Sequence, residues 1–168
     1  MITPVFVLVV FAILEFGLLF KDWLSVSSSV RAGVRIASAE PRDSGFATDA
    51  VANVAREAGA LGLTNVEELW VYRAEADGSP VGDVRGDFST CTSCVKFRWD
   101  GNAFVVASDD WPATSHNACQ GDPGRNDVGV YVKYEHASVT NFIFDSMTIE
   151  DHAVMTFEPV PATRGCKP

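Results

Sequence analysis

The sequence predicts an α+β protein: one long N-terminal helix, a second short helix, and an antiparallel sheet of about five strands. Three observations carry this. Residues 2–20 (ITPVFVLVVFAILEFGLLF) are apolar on every face except at Glu15. Residues 21–38 keep the helical period but are apolar on one side only. After Gly62 the period changes to alternation, punctuated by Gly, Asp and Pro turn signals.

The first helix has two halves of different character. The apolar half rises ~1.5 Å per residue to a length of ~28 Å, close to the ~30 Å hydrocarbon core of a bilayer. No small-x-small exit follows it, so it reads as a retained membrane or filament-core helix rather than a cleaved leader. Its only charge, Glu15, is expensive in hydrocarbon unless it meets a partner or reaches water. Gly17 and Ala12 permit close helix approach, and Glu15 calls for a donor; both favour assembly with other helices. Lys21 opens the wet half, where Trp23, Val26, Val30, Val34 and Ala37 form a single stripe with Ser27, Ser28 and Ser29 as surface hydroxyls. Pro41 ends the rod, because the residue before a proline disfavours the helical state.

The remaining elements follow in order. A loop over residues 42–45 leads to a helix over residues 50–60, capped by Thr48 or Asp49 and left through Gly59 and Gly62. Strands are predicted over residues 68–75, 95–99, 103–107, 128–135 and 148–157, with a hairpin turn at Asp100-Gly101-Asn102. Residues 141–145 read as a short helical or irregular link. The organisation is therefore a helix over residues 1–20 and an exported α+β domain over residues 21–168, with residues 21–40 continuing the helix.

Composition narrows the function classes. The chain has 168 residues and a net charge of -9, from 13 Lys and Arg against 22 Asp and Glu. That argues against nucleic acid as a partner, since phosphate surfaces reward clustered cations. Cys91, Cys94, Cys119 and Cys166 form an even set in the exported part, which predicts two disulfides. The expected pairing joins Cys91 and Cys94 to Cys119 and Cys166 in one of two orders. Closing such long loops is worth on the order of 3 kcal/mol, whereas a Cys91–Cys94 link constrains little.

Other chemistry is weighed and set aside. Cys91-x-x-Cys94 with His116-x-x-Cys119 has zinc-ribbon spacing, but export favours disulfides. Asp109, Asp110, Asp122, Asn126 and Asp127 offer hard oxygens without a calcium-loop register, so a solvated acidic loop is expected. His136 and His152 fall on strands with no nucleophile motif beside them. The expectation is no catalytic residue, no cofactor and no metal.

A long helix that is membrane-embedded above and sheet-packed below is the pilin plan. The sequence resembles the TadE-like pilin-related proteins of tight-adherence (Flp-type) systems, in an actinobacterial style. The resemblance rests on Thr3-Pro4, Glu15-Phe16-Gly17 and Arg31-Ala32-Gly33-Val34-Arg35, and more loosely on Asp127-Val128-Gly129-Val130 and residues 154–159. It implies a bitopic, pilin-like structural protein with its C-terminal domain outside the cell. Such a protein would form homo-oligomers or associate with related pilins and their assembly machinery, at the cell membrane or in a surface filament. Pro4, Ala12, Glu15 and Gly17 are the expected assembly residues. The family's prepilin peptidase site, a Gly before the cut and a Glu five residues into the mature chain, lies upstream of the Thr-Pro pair. It is not present here between Met1 and Pro4, so either the sequence begins inside a longer product or the protein is inserted unprocessed. A monomeric membrane-anchored binding module or adhesin is the alternative function, and a membrane-tethered metal or redox protein the second alternative.

Overall fold

The computed structural model describes residues 3–59, 61–122, 124–141 and 144–161. Helix α1 (Thr3–Ala39) is continuous for 37 residues, about 55 Å, with no break where its apolar half meets its wet half. Helix α2 (Phe46–Glu57) follows, then strands β1 (Val66–Ala74), β2 (Cys94–Trp99), β3 (Phe104–Asp109), β4 (Asp127–Ala137) and β5 (Ser146–Thr156). The five strands form one sheet in the order β3-β2-β1-β4-β5, every neighbouring pair antiparallel. The α+β expectation and all five strands are therefore met.

The lower half of α1 lies across β4 and β5, and α2 packs on α1 while reaching β1 and β3. Val26, Val30, Val34 and Ala37 from α1 meet Ala50, Val51 and Val54 from α2 and Leu69, Val71, Val128 and Val130 from the sheet, all at most 3% exposed. The helices cross closely at Gly33, where a Cβ would stand 2.5 Å from Val54 Cγ2 and 3.3 Å from the Ala50 carbonyl oxygen. The opposite sheet face carries a second cluster of Trp70, Tyr72, Cys94 and Tyr131, covered by Phe88 from the β1–β2 loop. Phe88 stacks on Tyr131 with ring centroids 4.4 Å apart. Tyr72 faces Gly129 across the β1–β4 ladder and lays its ring in the space a Cβ would need. The Tyr72 hydroxyl then donates to the Gly78 carbonyl at 2.9 Å.

Three local expectations are corrected. Helix α2 begins at Phe46 rather than Ala50, and Thr48 and Asp49 lie inside its first turn, with Gly45 at the N-cap and no side-chain cap bond. Packing moves the start: Phe46 is 2% exposed and meets Trp111 and His116 edge-on. Ser27 and Ser29 are buried rather than on the surface, Ser29 Oγ returning its proton to the Val26 carbonyl at 2.8 Å. Trp23, assigned to the buried stripe, is 45% exposed and packs on Phe20, because an open groove separates it from the start of β5.

The chain closes on α1 from below. After β5, Glu158 N donates to the Ser38 carbonyl at 2.8 Å, satisfying one of the helix's terminal acceptors.

Candidate membrane and assembly surface

The upper half of α1 stands outside the domain. Val5, Phe6, Ile13, Leu14, Phe16 and Phe20 are each more than half exposed. The helix is long and apolar enough to cross a membrane by length and composition. A contiguous apolar belt of this size marks a surface that meets lipid or another protein. Of the expected assembly residues, Pro4 and Gly17 lie exposed on this belt and Ala12 is half-buried. A Cβ at Gly17 would meet nothing within 4 Å, so the close approach it permits is unused within the chain.

Glu15 departs from its neighbours. It is 1% exposed in the middle of the open belt. Its Oε1 accepts from Thr140 N at 2.5 Å and its Oε2 from Val139 N at 3.3 Å. Both donors belong to the turn that follows β4. Seven residues further on, Asp22 Oδ2 meets His136 Nδ1 at 2.7 Å near the end of β4, with Lys21 Nζ 3.2 Å from the other Asp22 oxygen. The donor that the sequence calls for at Glu15 is thus found within its own chain.

The sequence carries the signal for this, read at the right period. Glu15, Asp22 and Ser29 are seven apart, and Ala12, Leu19, Val26 and Gly33 are seven apart at an offset of four. That is a 3.5-residue seam, the pattern of a helix facing one partner along its length. The seam runs unbroken through Lys21, so Glu15 shares a face with the sheet-packed residues below it. Asp22 does not stand out as a site residue in the sequence, and His136, a strand histidine with no nucleophile motif beside it, draws no role there.

Beside the seam, α1 and the start of β5 enclose an open groove of about 650 Å³, walled by Phe16, Gly17, Phe20, Trp23, Met147 and Ile149. A second hollow of about 370 Å³ lies between α1 and the β4–β5 turn, lined by Phe11, Leu14, Leu18 and Val139 among others.

The cysteines form a different pattern from the one expected. Cys91 and Cys94 are bonded to each other with Cα atoms 6.1 Å apart, the link ranked last on loop entropy. The reason is placement. Cys94 opens β2 opposite Tyr72, while Cys91 ends the loop that folds over the same face. Cys119 is also disulfide-bonded, and Cys166 lies outside the described residues. The bond between Cys91 and Cys94 removes both thiolates from the zinc reading.

His116, the third ligand of that reading, is fully buried among Phe46, Trp111 and Phe157. Its Nδ1 lies 2.5 Å from the Pro41 carbonyl oxygen. Burial pushes its pKa down to about 4, against the opposing pull of that carbonyl. In the acidic loop, Asp122 accepts from Asn117 Nδ2 at 3.0 Å and from Gly124 N at 2.7 Å, and Asn126 Oδ1 accepts from Asn117 N at 2.8 Å. These oxygens are engaged in holding the loop's own turns. Among the described residues, no three His, Cys, Asp or Glu side chains converge as a metal site.

Residues 1–35 match the family described as TadE-like protein. The N-terminal segment is therefore similar to TadE-like proteins; the match ends within α1 and does not reach the sheet. Neither the curated proteins nor the solved structures compared with the chain gave a match.

Proposed function

We propose, from this TadE-like helix, that the chain is a membrane-anchored, pilin-like structural subunit that assembles through α1 and displays residues 21–168 outside the cell. The observation that carries the reading is the split of one unbroken helix into an apolar belt, left open except along the side where the residues after β4 meet Glu15 and Phe16, and a lower half built into the domain core. A helix that is apolar all round has to be covered by lipid or by other helices. Gly17, Ala12 and Pro4 supply the close-packing surface for related helices or for the assembly machinery. The groove beside Gly17 gives a neighbouring helix a place to lie.

The test is assembly in the native membrane. Gly17→Leu fills open space on the monomer, so it leaves folding and insertion unchanged. Loss of filaments or cross-linked multimers in this variant supports the subunit role, and undiminished assembly removes it. A monomeric anchored binding module is the second reading, and one observation favours it. Because Glu15 is satisfied within the chain, its carboxylate does not demand a neighbouring subunit.

A further inference from the structure

We infer that the residues directly after β4, Val139 and Thr140, form a second membrane-contacting element, which enters the outer leaflet beside α1 with Glu15 as its anchor. The inference rests on the membrane anchoring proposed above. Val139 and Thr140 donate their backbone N–H groups directly to the Glu15 carboxylate, so whatever depth Glu15 has, Val139 shares. That depth is set by the belt. The exposed apolar surface of α1 continues past Glu15 through Phe16, Leu18 and Phe20 to Trp23, an aromatic at the level expected of a membrane interface. Glu15 therefore sits about 9 Å along the axis inside Lys21. Residues 3–14 alone would reach only ~18 Å, too short for a ~30 Å hydrocarbon core.

The chemistry of the turn agrees with that position. Val139 is apolar and 72% exposed, although the contact its backbone makes with Glu15 is itself buried. Phe144, on the returning limb, meets Phe16 edge-on with centroids 6.3 Å apart. In hydrocarbon a lone carboxylate and unpaired N–H groups are each costly, and here each satisfies the other. The occupant is lipid acyl chain, because the hollow between the turn and α1 opens onto the same apolar belt and has scarcely any polar lining.

Depth-dependent quenching tests this on the full chain in phosphatidylcholine vesicles. A fluorophore is placed at Val139→Cys, with Ile13→Cys as the helix reference and Val84→Cys, 95% exposed on the β1–β2 loop, as the aqueous reference. Quencher lipids carry the nitroxide high on the acyl chain, and iodide is the aqueous quencher. The expected result is lipid quenching at Val139 within about twofold of Ile13, and iodide quenching at least fivefold below Val84. Glu15→Leu, which leaves the span more apolar, should move Val139 to the Val84 response and leave Ile13 unchanged. An aqueous Val139 beside a lipid-quenched Ile13 overturns the inference and leaves the anchor standing. An Ile13 that lipid does not quench removes the anchor and the inference together. A Val139 shielded from both quenchers means that a second copy covers the turn, which overturns lipid as its occupant. Unchanged Val139 quenching in Glu15→Leu overturns the anchoring role.

Discussion

Asp22 Oδ2 stands 2.7 Å from His136 Nδ1, two helical turns below the point where Glu15 receives the N–H groups of Val139 and Thr140. The two carboxylates grip the end of β4 from a single face of α1. They fasten the helix to the domain with polar bonds at the height where apolar core gives way to open belt.

Asp22→Ala should destabilise the fold by about 1–3 kcal/mol, because it leaves the 3%-exposed His136 without the partner at Nδ1. The check is chemical unfolding in detergent for Asp22→Ala, His136→Ala and the double variant. The double variant should cost clearly less than the sum of the two, since both single changes break one interaction. Strict additivity would mean that the pair contributes nothing jointly.

His116 gives the fold a dependence on acid. Its pKa falls from 6.5 to about 4 on folding, so the unfolded chain binds more protons between those values. The associated stability is fully present above pH 6.5 and is lost as pH falls from there towards 4. It amounts to on the order of 3 kcal/mol. The midpoint of the wild type should fall over this window relative to that of His116→Phe, which has no proton to take up. Parallel curves for the two proteins would count against the assignment.

Gly33→Ala should cost about 1–3 kcal/mol by overpacking the α1–α2 crossing. The new methyl collides first with Val54 Cγ2, the end of a side chain, so Val54→Ala in the same chain should recover part of the loss. Melting temperatures of the two single variants and the double variant decide this.

The Cys91–Cys94 bond closes a small loop, and in the chain-entropy account it contributes about 2 kcal/mol at most. Non-reducing peptide mapping should find both residues in one cross-linked fragment. Cys91→Ala should lower stability by no more than that amount. A fragment joining either residue to Cys119 would overturn the pairing.

The architecture was legible where periodicity alone decides it. The change from all-round to one-sided apolarity at Lys21 foretold a single helix with two environments, and alternation after Gly62 foretold the strands. The sequence reading failed where a distant group makes the decision. Glu15 finds its donors 124 and 125 residues away, a distance no local pattern encodes, although its seven-residue spacing to Asp22 placed both on one face. Loop entropy ranked the cysteine pairs, but the folding of the β1–β2 loop over Tyr72 brought Cys91 to Cys94. Capping chemistry pointed to Thr48 or Asp49, and the burial of Phe46 moved the start of α2 upstream.

The ties between α1 and the domain also have a mechanical meaning. The rod is secured to the domain near residue 15 at one end and through the Glu158–Ser38 bond at the other, with the core between them. A pull on the domain directed along the helix loads these attachments together, in shear, rather than one after another as in peeling. Shear spreads the load over the whole contact length, so the joint resists traction far better along the rod than across it. On the proposed orientation, force applied to the domain would therefore reach the apolar half of the helix before the domain comes away from it.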